Sequence, residues 1–200
     1  MNKIASIEEL TELYGEAIQG SLDKVQPRIS PRYREWIEAS RFLILSTVGS
    51  EGTDASPRGD VDAVVTVLDE NTLLLPDWRG NNRLDSLRNI VEDGRVTLMF
   101  MVPGSNNVVR VNGSAALTTD EEFTGRFEQQ RKHPRSVIVV HVREVYFQCA
   151  KALMRSKLWL AGDESDRIPT AGQFIKEFNE TFDDESYDTG YAEYARERMW

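Results

Sequence analysis

The sequence has few of the side chains that build disulfides and metal centres. Its single cysteine, Cys149, cannot form a disulfide within the chain, which fits a reducing compartment. The two histidines, His133 and His141, have no second ligand at the spacing of metal sites, so we expect no structural or catalytic metal. No apolar run approaches the ~18 residues that cross a bilayer, and residues 1–13 lack the basic-then-apolar order of a signal peptide. These absences predict a cytoplasmic protein that has no membrane partner.

Basic residues are also in deficit. The chain has 24 Lys and Arg against 33 Asp and Glu, a formal net charge of -9. Nucleic acids are bound by basic surfaces that release counterions, so we expect no nucleic-acid partner. A small anion needs only a local group of cations and amides, and the total charge does not report whether such a group is present. With 40% hydrophobic and 28% charged residues, the 200-residue chain has the composition of a globular protein and the length of one domain.

The N-terminal segment, residues 1–40, is predicted to be helical. Ile7, Leu10 and Leu13 are spaced for one face of a helix, and a second helical segment follows Pro31. Both helices are expected to pack on the outside of the core.

The middle of the chain, residues 41–160, has the sequence pattern of a β protein. Short β-branched and aliphatic runs between turn residues predict strands over residues 42–48, 63–68, 72–75, 96–102, 108–117 and 136–147. The second and third of these form a hairpin that Pro76 is expected to end. Helices are predicted over residues 82–92 and 120–131, and from Cys149 to about residue 159.

Six strands joined mostly by hairpins predict a mainly β fold with peripheral helices. We expect a six-stranded antiparallel barrel of Greek-key type rather than a doubly wound sheet, because strand and helix do not alternate regularly. The acidic, polar extension over residues 161–200 predicts helical fragments or a tail that orders against a partner. All of this fits a single domain over residues 1–200.

A polar stretch lies where a barrel strand would be expected to continue, at residues 56–60. Ser56, Arg58 and Gly59 suit a strand edge that approaches a planar ligand, because glycine permits close contact and arginine pairs with an anion. A surface bulge or turn explains the same residues equally well.

A second polar group precedes the first helix predicted within the β region. Asp77 is followed closely by Asn81, Asn82 and Arg83. A helix start offers unpaired amide hydrogens and a partial positive charge, so a cation there is misplaced unless an anion such as phosphate is bound. The alternative is an ordinary asparagine cap, with Arg83 in solvent and Asp85 beside it.

Cations also occur on a later strand and a later helix. Arg110 alternates with apolar neighbours on a predicted strand, which places it in solvent or in a cleft. Lys151, Arg155 and Trp159 recur every four residues, so one helix face presents two cations and an indole to an anionic aromatic ligand. A solvated basic stripe with Trp159 as a packing anchor is the alternative.

Taken in order, four stretches resemble the pattern of one family. Residues 55–60, 77–89 and 109–113 are similar to the split barrels of the pyridoxamine 5'-phosphate oxidase family, which bind flavin mononucleotide (FMN). Residues 151–159 are similar to a subgroup of that family thought to be FMN-dependent enzymes. The resemblance implies an FMN-binding split β-barrel, an oxidoreductase acting on a small molecule, and a homodimer with FMN at the subunit interface.

The resemblance also assigns cofactor-binding residues in three groups. The strand along the isoalloxazine ring supplies Ser56, Arg58 and Gly59. The segment that leads to the phosphate supplies Asp77, Asn81, Asn82 and Arg83. A later strand and the partner subunit supply Arg110, Lys151, Arg155 and Trp159.

No side chain is predicted to be catalytic, and the substrate stays unidentified. The Arg and His pair that reads the substrate in true pyridoxamine 5'-phosphate oxidases has no match after Asp163, so we do not expect that substrate. Two alternatives remain open: a flavin carrier or sensor without turnover, and a barrel of the same shape that binds haem or a deazaflavin. Haem is disfavoured because histidine ligands are scarce.

Overall fold

Seven antiparallel strands form one sheet, and the chain also has eight α-helices. The computed structural model describes all 200 residues. The strands are β1 (Phe42–Gly49), β2 (Gly52–Gly59), β3 (Thr66–Val67), β4 (Thr72–Asp77), β5 (Arg95–Met101), β6 (Val108–Thr118) and β7 (Ser136–Gln148). The helices are α1 (Ile7–Tyr14), α2 (Gln19–Asp23), α3 (Pro31–Glu38), α4 (Asp85–Glu92), α5 (Glu121–Thr124), α6 (Lys151–Ser156), α7 (Ala171–Phe178) and α8 (Asp184–Arg196). None of these helices combines the length and the apolar character needed to span a membrane.

Alternating burial explains why the central strands form. In β5 the side chains of Val96, Leu98 and Phe100 are buried, and the residues between them are half-buried. The same period of two runs through β1 and the first half of β6, as a strand with one buried face requires. The strand order is β2-β1-β5-β6-β7-β4-β3, so the most regularly alternating strands lie in the interior of the sheet.

A glycine allows the two longest strands to bend together. The register between β6 and β7 shifts at Asn112 and Gly113. A Cβ atom on Gly113 would lie 2.0 Å from the carbonyl oxygen of His141, a distance that no side chain tolerates. The close approach therefore requires glycine, and the irregularity bends the pair of strands.

The sheet curls until its two ends meet. β2 and β4 are five strand spacings apart in the sheet order, which would be roughly 24 Å in a flat sheet. However, the Nη1 atom of Arg58 on β2 lies 2.6 Å from the Oδ1 atom of Asp77 at the end of β4. Only a strongly curled sheet brings these two side chains together.

The hydrophobic core fills the inside of this curl. Nineteen buried hydrophobic residues form one cluster, drawn from the strands, from α3 and α4, and from the segments that lead into α3 and β3. Helix α3 starts at Pro31, is capped by the Ser30 side chain, and buries Ile37 completely. Helix α4 packs on β1, β2 and β6, and Ile90 is its apolar anchor in the core. The first residues of α4 are therefore held in place beside β2.

Most of the strand predictions are confirmed to within one or two residues, but the count is corrected. The sheet has seven strands where the sequence predicted six, because residues 52–59 form β2 although they have no apolar face. The first strand of the predicted hairpin is shortened to the two residues of β3. Pro76 lies inside β4 rather than after it. It pairs with β7 on one side, and β3 does not extend to it on the other, so its missing N–H breaks no ladder.

Three helix predictions are also corrected. The helix predicted over residues 82–92 begins at Asp85, and the residue at its N-cap, Leu84, is in the left-handed region with a φ of 64°. The helix predicted over residues 120–131 is reduced to the single turn of α5. The helix predicted to reach about residue 159 ends at Ser156, where α6 stops. The helical fragments predicted near the C-terminus are confirmed as α7 and α8.

Candidate functional site

The two ends of the curled sheet enclose a cleft of about 1100 Å³. One wall is β2, and the opposite wall is the end of β4 with the segment over residues 78–84 that leads to α4. Seven of the residues predicted from the sequence line this cleft: Ser56, Arg58, Gly59, Asp77, Asn81, Asn82 and Arg83. The fold thus brings two separate polar stretches of the sequence to one place.

Arg58 spans the cleft floor between its two walls. It lies on β2, where alternate residues are half-buried and the others exposed, so Ser56 and Arg58 project from the same face. The Arg58 Nε atom donates to Ser56 Oγ at 3.3 Å, and Nη1 donates to Asp77 Oδ1 at 2.6 Å. The side chains of Arg58 and Asp77 are 20% and 17% exposed, so the pair is shielded from solvent. Asp77 therefore neutralises Arg58 locally and holds its orientation.

The segment before α4 follows an irregular path through two left-handed residues. Asn82 and Leu84 have φ angles of 62° and 64°. The Asn81 side chain accepts the Arg83 backbone N–H at 3.0 Å, which stabilises the turn. Arg83 pairs with Asp85 at 3.0 Å, and this pair is exposed to solvent. Arg83 thus stands just before the helix rather than in its first turn, where Asp85 lies.

Further arginines line the cleft without acidic partners. Arg41, Arg79 and Arg135 all border it, and none has a carboxylate oxygen within 4.0 Å. Sequence reasoning did not assign these three residues to the site: Arg41 and Arg135 lie outside the stretches with a recognised pattern, and Arg79, within residues 77–89, was not singled out. Because no carboxylate neutralises them, they supply uncompensated positive charge at the mouth of the cleft.

Two tryptophans form another part of the cleft wall. The rings of Trp78 and Trp200 meet edge to face, with centroids 5.2 Å apart. Trp78 Nε1 donates to Asp60 Oδ2 at 2.9 Å, and Gln129 donates to the other oxygen of Asp60 at 3.1 Å. Lys132 donates to the main-chain oxygen of Trp200 at 3.1 Å. The acidic C-terminal extension therefore contributes an aromatic side chain to the cleft, which the sequence did not predict.

Helix α4 is fixed to the sheet by polar contacts at its far end. Asn89 donates to Thr47 on β1 at 3.0 Å. Glu92 accepts hydrogen bonds from the backbone N–H and the hydroxyl of Ser50, both at 2.9 Å. The backbone hydrogen bond from Ser50 is the main cause of a lowered pKa at Glu92, since it favours the charged carboxylate. These contacts attach the C-terminal half of α4 to β1 and to the turn that follows β1.

The other four predicted site residues lie outside the cleft of their own chain. Arg110 is half-buried on β6, with its guanidinium carbon 5.5 Å from the centre of the Tyr146 ring. Lys151 and Arg155 are exposed on α6. Trp159 follows α6 and donates to the Ser105 carbonyl oxygen at 2.7 Å, which anchors this segment to the turn between β5 and β6.

Several solved structures are similar to this chain. A single-residue variant of HupZ from Group A Streptococcus is 16% identical, with a TM-score of 0.50, over 60% of this chain and 99% of that chain. A putative pyridoxamine 5'-phosphate oxidase from Lactobacillus delbrueckii is 20% identical, with a TM-score of 0.47, over 60% of this chain and 95% of that one. An FMN-binding protein from Syntrophomonas wolfei is 18% identical, with a TM-score of 0.45, over 58% of this chain and 83% of that one.

Sequence comparison identifies the family. No curated protein matches the chain. The family model described as pyridoxamine 5'-phosphate oxidase matches residues 29–149, which is more than half of the chain and includes the whole seven-stranded sheet. The chain therefore belongs to the pyridoxamine 5'-phosphate oxidase family.

Proposed function

We propose that this protein is a flavoprotein that holds FMN in the cleft between β2 and the segment before α4. The observation that carries the proposal is the cleft itself. It joins two polar stretches that are distant in sequence, and three of its arginines have no acidic partner. A cleft that holds both uncompensated guanidinium groups and a helix start suits a phosphate group.

The size and charge of the cleft fit this cofactor. Its volume of about 1100 Å³ is slightly above the ~300–1,000 Å³ typical of cofactor sites, so a second small molecule could enter beside FMN. Five arginines and four aspartates line the cleft, a local balance of +1 in a chain of net charge -9. The cleft is thus slightly positive in a chain that is negative as a whole.

Asn81, Asn82 and Arg83 would hold the phosphate. The ion pair between Arg83 and Asp85 is exposed, with side chains 76% and 45% accessible, and such pairs contribute only about 0–1 kcal/mol. Arg83 can therefore leave Asp85 for a phosphate at little cost. Backbone N–H groups at the start of α4 add to the same anion site.

Ser56, Arg58 and Gly59 would lie along the flavin ring, with Asp77 fixing Arg58. A Cβ atom on Gly59 would meet its nearest neighbour, the Arg41 carbonyl oxygen, at 3.6 Å, an ordinary contact distance. The fold itself therefore tolerates a side chain at this position. A ligand that approaches the backbone closely would be a reason for glycine there.

FMN would supply the redox chemistry of an oxidoreductase, and the chain would supply binding and orientation. No side chain of the cleft is assigned to proton transfer. The test of turnover is reduction of the bound flavin by a nicotinamide cofactor, followed by reoxidation. A flavin that stays inert to every reductant would instead identify a carrier or a sensor.

Comparison of FMN with riboflavin, which lacks the phosphate, tests the site directly. Arg83→Ala is expected to weaken FMN binding by about tenfold or more, the effect of one charge-assisted hydrogen bond, and to leave riboflavin binding unchanged. Arg88→Ala is the matched control, because Arg88 is an exposed arginine of α4 outside the cleft. Purified protein that is colourless and does not bind added FMN would refute the proposal, and mass spectrometry of a released ligand would reveal haem or a deazaflavin.

We also propose that the protein is a homodimer in which Arg110, Lys151, Arg155 and Trp159 reach the FMN of the partner subunit. They lie outside the cleft of their own chain, as this arrangement requires. Arg83→Ala and Arg155→Ala are each expected to weaken every site of their own homodimer. Mixing the two variants would return about a quarter of the sites to the original FMN affinity, because half of the dimers would be mixed and one of their two sites intact. No recovery on mixing, or a monomer in solution, would contradict the shared site.

A further inference from the structure

A series of hydrogen bonds along the cleft wall leads from Arg58 to the carboxylate of Asp54. The Arg58 Nε atom donates to Ser56 Oγ at 3.3 Å, and the Oγ atoms of Ser56 and Ser86 are 2.9 Å apart. Ser86 Oγ donates in turn to Asp54 Oδ2 at 2.5 Å. Ser86 is only 4% exposed, so a bound ligand would reach Ser56 and Arg58 but hardly Ser86.

The direction of every bond in this chain is fixed by chemistry. A carboxylate only accepts hydrogen bonds, so the single hydrogen of the Ser86 hydroxyl is directed to Asp54. Ser86 can then only accept from Ser56, whose own hydrogen is directed to Ser86. The oxygen of Ser56 is left to accept the N–H of Arg58. All of the donors therefore point from Arg58 towards Asp54.

The geometry points to Asp54 and Ser86 as positioning residues for the anion site. Through Ser86, Asp54 fixes the Ser56 hydroxyl, and Ser56 together with Asp77 holds the Arg58 guanidinium from two sides. Two of its five N–H groups are used in this way, and three remain for a ligand. A side chain that is already ordered loses less conformational freedom on binding, so the ligand binds more tightly.

This inference rests on the proposed function only in naming FMN as the ligand. The arrangement also limits Ser56, because its hydroxyl hydrogen is already donated to Ser86. Ser56 therefore offers FMN an oxygen lone pair but no hydrogen, and Arg58 is the donor at this wall of the cleft.

FMN titration of Ser86→Ala and of Asp54→Ala tests the role. Each variant is expected to bind FMN about fivefold more weakly, the change that corresponds to loss of one oriented hydrogen bond. Asp54→Asn keeps an acceptor oxygen and is expected to restore binding to within about twofold of the original protein. This rescue would show that Ser86 needs an acceptor oxygen at residue 54 rather than a negative charge.

Thr47→Val is the matched control. It removes the hydrogen bond between Asn89 and Thr47, which also joins α4 to the sheet but lies outside the cleft. Its FMN affinity is expected to stay unchanged even if its melting temperature falls as far as that of Ser86→Ala. Unchanged FMN affinity in well-folded Ser86→Ala and Asp54→Ala would overturn the inference.

A measurement without ligand separates this inference from the proposed function. Asp54 and Ser56 share no direct hydrogen bond, and the hydrogen bonds that connect them run through Ser86. In thermal unfolding, the double variant of Asp54→Ala and Ser56→Ala is expected to lose less than the sum of the two single shifts. If the original protein does not bind FMN, the proposed function fails, but this cycle still tests the positioning role. Additive shifts would overturn that role, and non-additive shifts would support it.

Discussion

Breaking the ion pair between Arg58 and Asp77 tests whether the sheet is held curled by contact between its two ends. The pair joins β2 to β4 at 2.6 Å, with side chains 20% and 17% exposed. Exposed pairs contribute about 0–1 kcal/mol, whereas removal of one partner from a fully buried pair costs about 3–5 kcal/mol. This pair lies between the two cases, so we expect Arg58→Met to lower the free energy of unfolding by about 2 kcal/mol. For a chain of this length that loss corresponds to a fall of roughly 4–8 °C in melting temperature.

The double-mutant cycle with Asp77→Asn isolates the pair. If the two charges depend on each other, the double variant should be about 1.5 kcal/mol more stable than the sum of the single losses predicts. Urea unfolding of ligand-free protein, followed by tryptophan fluorescence, measures all four free energies, and Trp78 lies close enough to report on the cleft.

A matched ion pair provides the control for this cycle. Arg32 and Glu35 on α3 are 2.8 Å apart, but their side chains are 88% and 63% exposed. Their coupling should stay below about 0.5 kcal/mol. If Arg58 and Asp77 also prove additive within about 0.5 kcal/mol, the ion pair does not hold the ends of the sheet, and the reasoning from their contact is wrong.

Three further predictions concern stability and the cleft. Gly113→Ala should destabilise the protein by about 3 kcal/mol in urea unfolding, because the new Cβ would lie 2.0 Å from a carbonyl oxygen of β7. Gly80→Ala is the control: a Cβ there would have nothing within 4 Å, so stability should change by less than about 1 kcal/mol. Glu92→Gln should lower the melting temperature at neutral pH but not in acid. The pKa of Glu92 in the folded protein lies below the ordinary value of 4.5. The charged carboxylate therefore stabilises the fold above pH 4.5, and this stabilisation is lost as the pH falls through the folded pKa. An equal deficit at every pH would contradict the role of its charge. Trp200→Ala should release FMN about two- to tenfold faster than Trp200→Phe in stopped-flow measurements. Phenylalanine can keep the edge-to-face contact with Trp78, and such a contact is worth about 0.5–1.5 kcal/mol. Equal rates would show that this contact does not help to retain FMN in the cleft.

The strands that the sequence predicted well are those with one buried face. Val96, Leu98 and Phe100 alternate with less buried residues, and the same period of two marks the other central strands. β2 was not counted as a strand because its half-buried face is polar: Ser56 and Arg58 face the cleft instead of the hydrophobic core. Hydrophobic periodicity has no signal for a strand of this kind, although the polar residues themselves indicated a ligand-binding edge.

The start of α4 shows a second limit of local sequence reasoning. Asparagine is a preferred N-cap, and this preference predicted a helix from residue 82. Instead Asn82 adopts a left-handed conformation, and the helix begins after Leu84, a residue type that seldom occupies an N-cap. Helix α4 packs on β1 and β2, which lie far away in the sequence, and local sequence reasoning takes no account of that packing.

Charge pairing, which only the folded chain reveals, changes which cations are available to an anion. The sequence argument rested on Arg83 as a cation placed against the helix dipole, but in the fold Arg83 has Asp85 beside it, and Arg58 has Asp77. Two of the predicted cations are therefore already neutralised, and a phosphate must compete with a carboxylate for each of them. Because the Arg83 pair is exposed and the Arg58 pair is shielded, the competition is easy at Arg83 and costly at Arg58. Arg83 is thus the better candidate for direct contact with phosphate, and Arg58 is better suited to stay with Asp77 and present its remaining N–H groups to the ligand.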